Sequence, residues 1–357
     1  MTLLAKEDIE KNTTTEASAS ENIFAEDDSA RTENFNETIL SPDIYDAAPL
    51  PYIKMIREYI VTEGITDIHL TEGKNISFRS NGEIITVPVM LPEHGLMQVS
   101  SQIFHLQAWD KIDCPARYEN KRLRLRSSQS LQRRQLIIRI LPDRAPTLKQ
   151  IGYDAYLSDF IAAPITQGIV IVAGATGSGK STLLAGILQQ FLDERPIHLI
   201  TAEYPAEYEF FDSVGIVSQR ELPDDAGTFY AAVVGMLRED PDVILIGETN
   251  DKNTAEATLQ AAETGHLAFT TLHAPDIPGV IGRMMGLLTE TDSPEIRLSN
   301  VLKGCIYLRH FHDENNNDVR EADFLWFDDD TKELVRDKTQ YYKLKDYVKT
   351  VRISHNS

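Results

Sequence analysis

A chain of 357 residues, 42% hydrophobic and 25% charged, can build two or three domains around sizeable cores. Its formal net charge of −20, from 55 acidic against 35 basic side chains, argues against a protein that coats nucleic acid. Only two cysteines, Cys114 and Cys305, are present, which excludes a disulfide scaffold and a cysteine-ligated zinc site.

Residues 1–49 read as a disordered acidic tail. Twelve acidic side chains fall within residues 1–50 against Lys6, Lys11 and Arg31, among Thr, Ser, Asn and Ala. Solubility is the plain role of such a tail, and docking to a partner is the alternative. Met1–Glu10 is charged early and lacks an apolar run, so no signal peptide is expected. No stretch reaches bilayer-spanning length, and the expected compartment is the cytoplasm.

A first folded unit is expected over residues 50–142. Ile53, Ile56 and Ile60 recur at helical spacing within Tyr52–Thr62. Thr66–Leu70 reads as a strand, and Ile76–Arg79, Asn81-Gly82 and Glu83–Val87 as a β-hairpin. A helix over His94–Trp109 and strands at Lys121–Arg126 and Gln135–Ile140 complete a mixed α/β unit. Between Arg117 and Arg144, nine Arg or Lys residues meet only Glu119 and Asp143. In Arg122-Leu123-Arg124-Leu125-Arg126, alternation puts three guanidinium groups on one strand face, with Arg139 on the next strand. Arginine forks suit bidentate phosphate recognition. These groups either complete a neighbouring nucleotide site or form a salt-bridged basic surface on an acidic protein.

Residues 143–167 read as a linker with one packed helix, presenting Tyr156, Leu157, Phe160 and Ile161. The pattern then changes over 168–310. Apolar runs at Ile169–Ala173, Ile197–Ala202, Val243–Gly247 and Leu267–Thr271 alternate with helix candidates, as in a largely parallel, doubly wound sheet. Ligand-binding groups gather beyond the carboxyl ends of such strands. Residues 311–357 read as a C-terminal extension; Leu298–Leu308 is expected to be helical and Phe311–Val319 a polar loop.

The chemistry concentrates at Gly174-Ala175-Thr176-Gly177-Ser178-Gly179-Lys180-Ser181-Thr182, a phosphate loop between an apolar strand and an apolar-faced helix. Its backbone N–H groups and helix N-terminus suit a phosphate chain, with Lys180 on the β/γ-phosphates and Ser181 on Mg²⁺. Glu248, after the Val243–Gly247 strand, is placed to orient an attacking water and help hold the metal. Glu203, ending the Ile197–Ala202 strand, is a further carboxylate acting through metal-bound water. Asp240 and Asp242 lie on the wrong side of their strand for direct metal contact. His266 precedes the Leu267–Thr271 strand and His273 follows it. They are separated by roughly 20 Å if extended, too far for a shared metal.

Taken together, these segments resemble the secretion and type IV pilus ATPase superfamily over about residues 50–310. Thr66-Asp67-Ile68-His69-Leu70 looks like the opening of that family's N-terminal domain, and Arg79-Ser80-Asn81-Gly82 like its hairpin. Gly174–Thr182 matches its Walker A element. Thr201–Glu207 resembles its aspartate box, with Glu203 at the catalytic acidic position and Glu207 at the second acid. Leu237–Glu248 is similar to its Walker B segment, and Ala261–His273 to its histidine box.

The resemblance implies a RecA-like P-loop NTPase core behind a smaller mixed α/β, PAS-like N-terminal domain. It further implies a hexameric, Mg²⁺-dependent ATPase, cytoplasmic and peripheral at the inner-membrane base of a secretion, conjugation or pilus machine. Nucleic acid is not an expected direct partner. Arg124 and Arg139 would act catalytically across domains, Arg126 would contact nucleotide, and His266 and His273 would take the histidine-box roles.

Two positions depart from the pattern. Tyr204 stands where an aspartate is usual, and Asn250 replaces the arginine of Glu-x-Arg-Asp. Leu298–Leu308 and Arg320–Asp329 look most like the conjugation and type IVB secretion ATPases. A pilus retraction ATPase, a nonhydrolysing nucleotide-dependent module and a nucleic-acid translocase are the alternatives.

Overall fold

The computed structural model describes residues 50–106, 112–164, 166–222, 228–289, 292–314 and 317–355. The acidic tail expected over 1–49 lies outside the described residues.

The chain opens with helix α1 (Pro51–Val61), whose Ile53, Ile56 and Ile60 are fully buried, as their spacing predicts. Strands β1 (Ile65–Thr71), β2 (Asn75–Ser80) and β3 (Glu83–Met90) follow, then α2 (Gly95–Phe104) and strands β4 (Asp113–Tyr118), β5 (Lys121–Ser130) and β6 (Arg133–Leu141). The β2–β3 hairpin turns on Asn81 and Gly82, both at positive φ (48° and 86°), which two-residue hairpins of primed type require. The six strands form one antiparallel sheet in the order β3-β2-β1-β6-β5-β4, with α1 and α2 packed on a core of its own. Helix α2 ends at Phe104, short of the expected Trp109; residues 107–111 lie outside the described set.

Helices α3 (Leu148–Ile151) and α4 (Asp154–Ala162) lead into the larger sheet. Leu157 and Ile161 of α4 are buried, whereas Tyr156 is exposed. The second half runs β7 (Gly168–Gly174), α5 (Lys180–Glu194), β8 (His198–Glu203), β9 (Ile216–Glu221), α6 (Phe229–Met236), β10 (Val243–Ile246), α7 (Lys252–Glu263) and β11 (Leu267–Leu272). It continues with α8 (Ile277–Leu287), α9 (Pro294–Val301), β12 (Leu302–His312), β13 (Asp318–Trp326), α10 (Asp329–Arg336), a 3₁₀ turn at Tyr341–Tyr347 and β14 (Lys349–His355).

Eight strands pair in the order β14-β13-β12-β7-β11-β10-β8-β9. From β12 to β9 every pairing is parallel; β13 and β14 add an antiparallel edge. Every residue of β7, β10 and β11 is buried, because helices cover both faces. One core lies beneath α6–α9, the other beneath α3–α5. This is a RecA-like P-loop core with a separate, smaller α/β domain ahead of it, both within the compact unit Pro49–Ser357.

The expectation for Leu298–Leu308 is overturned. Helix α9 stops at Val301, and Leu302–His312 is a strand pairing in parallel with β7 and antiparallel with β13. Without β12, one edge of the fully buried β7 would carry unpaired peptide groups, a cost that outweighs local helix propensity. Gly304 fits there because Trp326 occupies the space of a β-carbon, within 2.3 Å of where it would stand. Of the expected polar loop Phe311–Val319, the two ends are strand: Phe311 pairs with Val319 and His312 with Asp318, and the border expected at 310/311 falls inside β12.

Candidate nucleotide site

Strand order assembles the site. Reading from β7 through β11 and β10 to β8, the carboxyl ends present the phosphate loop, His273, Glu248 and Glu203 in that sequence. They line a cavity of about 390 Å³ together with Lys180, Ser181 and Glu207.

The loop leaves β7 at Gly174, where φ is +148°; a β-carbon would stand 2.5 Å from the Leu308 carbonyl and 2.6 Å from Ser178 Oγ. Gly177 and Gly179 also take positive φ, and Gly179 ends the turn as the N-cap of α5. Lys180 Nζ donates to the carbonyls of Gly174 and Ala175, each at 3.0 Å. Burial lowers the Lys180 pKa, while the charges of Glu248 and Glu207 oppose the shift. Ser178 Oγ is buried and has no hydrogen-bond partner, leaving a donor inside a turn built to wrap an anion.

His273 bridges the loop and the carboxylate. Its Nδ1 lies 3.2 Å from the Gly174 carbonyl and its Nε2 lies 3.1 Å from Glu248 Oε1. Each ring nitrogen thus faces an oxygen, one from the loop backbone and one from the carboxylate. His266 is elsewhere: its Nδ1 faces the Ala261 carbonyl at 3.0 Å, closing the turn after α7. The two histidines are therefore not brought together.

Glu203 is almost enclosed. Its Oε1 accepts from Thr201 Oγ1 at 2.9 Å and from Gln219 Nε2 at 2.8 Å. Burial raises its pKa from 4.5 to about 7; the bonds from Gln219 and Thr201 oppose the rise, Glu207 adds to it and Arg122 reduces it. The folded chain therefore keeps a proton that the unfolded chain releases above pH 4.5, so this group subtracts stability as pH rises from about 4.5 to 7. Glu203→Gln is expected to gain up to about 3 kcal/mol over the native chain between pH 5 and pH 8. Thermal melting at the two pH values checks this, and an equal difference at both would sink it.

The arginines face a different surface. Arg124 pairs with Asp113 at 2.7 Å and Glu221 at 2.6 Å, and lies over the Tyr204 ring at 5.0 Å. Tyr204, the departure from the aspartate box, thus has a partner in the small domain. Arg139 pairs with Asp67 at 2.8 Å, and Arg126 is exposed. None of the three lines the phosphate cavity of its own chain. Much of the basic segment meets carboxylates, including Arg117 with Glu209 and Lys121 with Asp143. Asp242 accepts from the His198 N–H at 2.8 Å, at the opposite end of the sheet from the cavity.

Sequence reading missed Gln219, Tyr208 and the separate role of Arg122. Arg122 donates to the Ala206 carbonyl at 2.7 Å, and its side chain is only 12% exposed. Tyr208 OH shares a hydrogen bond of 3.0 Å with Thr182 Oγ1. The Arg-x-Arg-x-Arg alternation contained a signal for Arg122. Gln219 had none, because Ile216–Glu221 is a half-buried strand without an apolar run.

Comparison with known proteins agrees with this architecture. The chain is 31% identical over 257 residues to the type IV pilus retraction ATPase PilT of Pseudomonas aeruginosa, covering 68% of this chain and 73% of that protein. It is 30% identical over 251 residues to the uncharacterized protein YggR of Escherichia coli K12, covering 69% and 76%. The crystal structure of the pilus retraction motor PilT with bound ADP matches with a TM-score of 0.74 at 30% identity, over 84% of this chain and 90% of that one. The Legionella pneumophila ATPase DotB matches with a TM-score of 0.69 at 24% identity, over 83% and 87%, a likeness of fold alone. The sequence model of one family spans residues 46–333, taking in the small domain, the phosphate loop and every carboxylate at the cavity: the chain belongs to the type II/IV secretion system protein family.

Proposed function

We propose that this chain is a Mg²⁺-dependent ATPase that assembles as a hexamer and converts ATP hydrolysis into movement of a pilus, with retraction as the favoured role. The observation that carries the reading is the cavity where Lys180 and Ser181 of the phosphate loop face Glu248 and its partner His273. Ser181 and Glu248 would hold Mg²⁺, with Glu203 acting through water; the metal would supply charge neutralisation on the β- and γ-phosphates. This donor set fits a cation that uses few protein ligands and takes the rest from water and substrate.

In this reading Lys180 and the loop N–H groups bind the phosphates, and Glu248 orients the attacking water. His273 holds Glu248 against the loop. Arg124, Arg126 and Arg139, turned from their own cavity, suit contact with nucleotide on a neighbouring subunit. The small domain is read as PAS-like, and 50–142, 143–167 and 168–310 as small domain, linker and core.

Retraction is preferred over conjugation or type IVB secretion on two grounds. The likeness to PilT is supported at 30–31% identity in both sequence and structure, while that to DotB is one of fold. The segment Leu298–Leu308, read as a subfamily mark, is the end of α9 and the start of the core strand β12. Among the described residues no helix is long and apolar enough to cross a membrane, so attachment to an inner-membrane machine would run through partner proteins at its cytoplasmic face.

Phosphate release from ATP, followed across a protein concentration series with oligomer mass measured in the same samples, tests the reading. Turnover per subunit is expected to rise as rings assemble. A stable hexamer that binds nucleotide without turnover would replace the motor with a nonhydrolysing module. In cells, deletion is expected to leave pili that extend but do not withdraw; loss of pili altogether would favour an assembly role.

A further inference from the structure

Between β8 and β9 the chain passes the phosphate cavity as Pro205–Phe210, and much of this backbone is held by side chains rather than by a strand ladder. Gln219 on β9 uses its whole amide. Its Nε2 donates to Glu203 Oε1 at 2.8 Å and to the Tyr208 carbonyl at 2.7 Å, while its Oε1 accepts from the Phe210 N–H at 3.2 Å. From the small domain, Arg122 on β5 donates to the Ala206 carbonyl at 2.7 Å and the Glu207 carbonyl at 3.4 Å. The Ala206 N–H in turn donates to Glu221, which also pairs with Arg124. Tyr208 OH then joins the loop to Thr182 in the first turn of α5.

We propose that Gln219 and Arg122 are positioning residues for the candidate catalytic carboxylate Glu203, suspending the Ala206–Phe210 backbone between the ATPase core and the small domain. The inference rests on the ATPase reading above. Both side chains are chemically suited to the task. A glutamine amide donates twice and accepts once around one point; methionine has similar length and does neither, and an ionised glutamate cannot donate. An arginine fork can reach two successive carbonyls, whereas a lysine is a point donor. With one suspension point in each domain, displacement of the small domain is transmitted to the loop that carries Glu207 and packs beside Glu203. A shift of about 1 Å in such a group is enough to cost on the order of 10²-fold in rate.

The test uses the full chain and the variants Gln219→Met, Arg122→Met, Arg122→Lys and the double methionine variant. Two readouts are taken: kcat and KM for ATP, and hydrogen–deuterium exchange over residues 204–211 without nucleotide. Each single methionine variant is expected to lose about 10- to 100-fold in kcat with KM within about threefold. Arg122→Lys, a point donor that can serve one of the two carbonyls, is expected to recover part of the loss and not all of it. The double variant should be little worse than the poorer single one, because both act on one loop. Exchange across Tyr208–Phe210 should quicken in Gln219→Met. A kcat within about twofold of the native chain would overturn the proposal. So would a parallel fall in kcat, substrate affinity and melting temperature with unchanged loop exchange. If the native chain does not turn over ATP, the ATPase reading fails by itself, and the exchange measurement still decides whether the loop is suspended.

Discussion

Lys180→Ala is expected to abolish measurable ATP turnover, with a loss on the order of 10³-fold or more in kcat/KM, about 4 kcal/mol of transition-state stabilisation. The ammonium sits at the first position of α5, half-buried, and donates to the carbonyls of Gly174 and Ala175. Those bonds hold it over the loop whose N–H groups are to wrap the phosphates. Alanine removes the one cation of the loop at the point where negative charge shifts during phosphoryl transfer. Binding should also weaken, by roughly tenfold or more, because the same charge is felt by the bound triphosphate. The fold should stay intact, since the carbonyls released face an open cavity that water can enter. Phosphate release, a fluorescent-nucleotide titration and a melting curve on one preparation check all three parts. Retention of more than a tenth of native turnover would remove Lys180 from the mechanism.

Glu248→Gln separates binding from chemistry. The substitution keeps shape and an oxygen that can accept from His273, so the 3.1 Å contact has a route to survive. It removes the negative charge and the proton acceptor. If Glu248 orients and polarises the attacking water, turnover is expected to fall by about 10²- to 10⁴-fold. Nucleotide affinity should stay within about threefold, because Lys180 and the loop carry ground-state binding. Rings bound to ATP should then persist. Loss of ATP binding in step with turnover would leave Glu248 with its metal-holding part or a structural one alone, and remove it from water activation. The pair of variants is more informative than either alone: Lys180→Ala should fail at both binding and hydrolysis, Glu248→Gln at hydrolysis only.

How legible the molecule was follows from where each signal resides. The hairpin at Asn81-Gly82 needs two residues at positive φ, and that requirement is written in the residue types themselves. The strands at 168–174, 243–246 and 267–272 were readable because burial on both faces demands unbroken apolar runs. The phosphate loop was readable for the same local reason: its glycines stand where a β-carbon does not fit or φ is positive. By contrast β9, with partly buried residues and an open edge, carries no such run, and β12 follows α9 with no intervening residue to mark the change. Its strand state is imposed by β7, from far away in the chain.

Residue order along the chain specifies that a glycine-rich turn joins a buried strand to a helix, and which carboxylates and histidines end the neighbouring strands. Their company comes from long-range packing. Strand order set His273 between the Gly174 carbonyl and Glu248, left His266 at the far end of β11, and turned Arg124 towards Tyr204 and Glu221. It also brought Gln219 and Arg122 to the loop beside Glu203. The reason is physical. Strand and turn preferences act through neighbouring peptide groups and can be read along the chain, whereas strand order and domain packing depend on burying distant apolar faces and pairing polar groups across them.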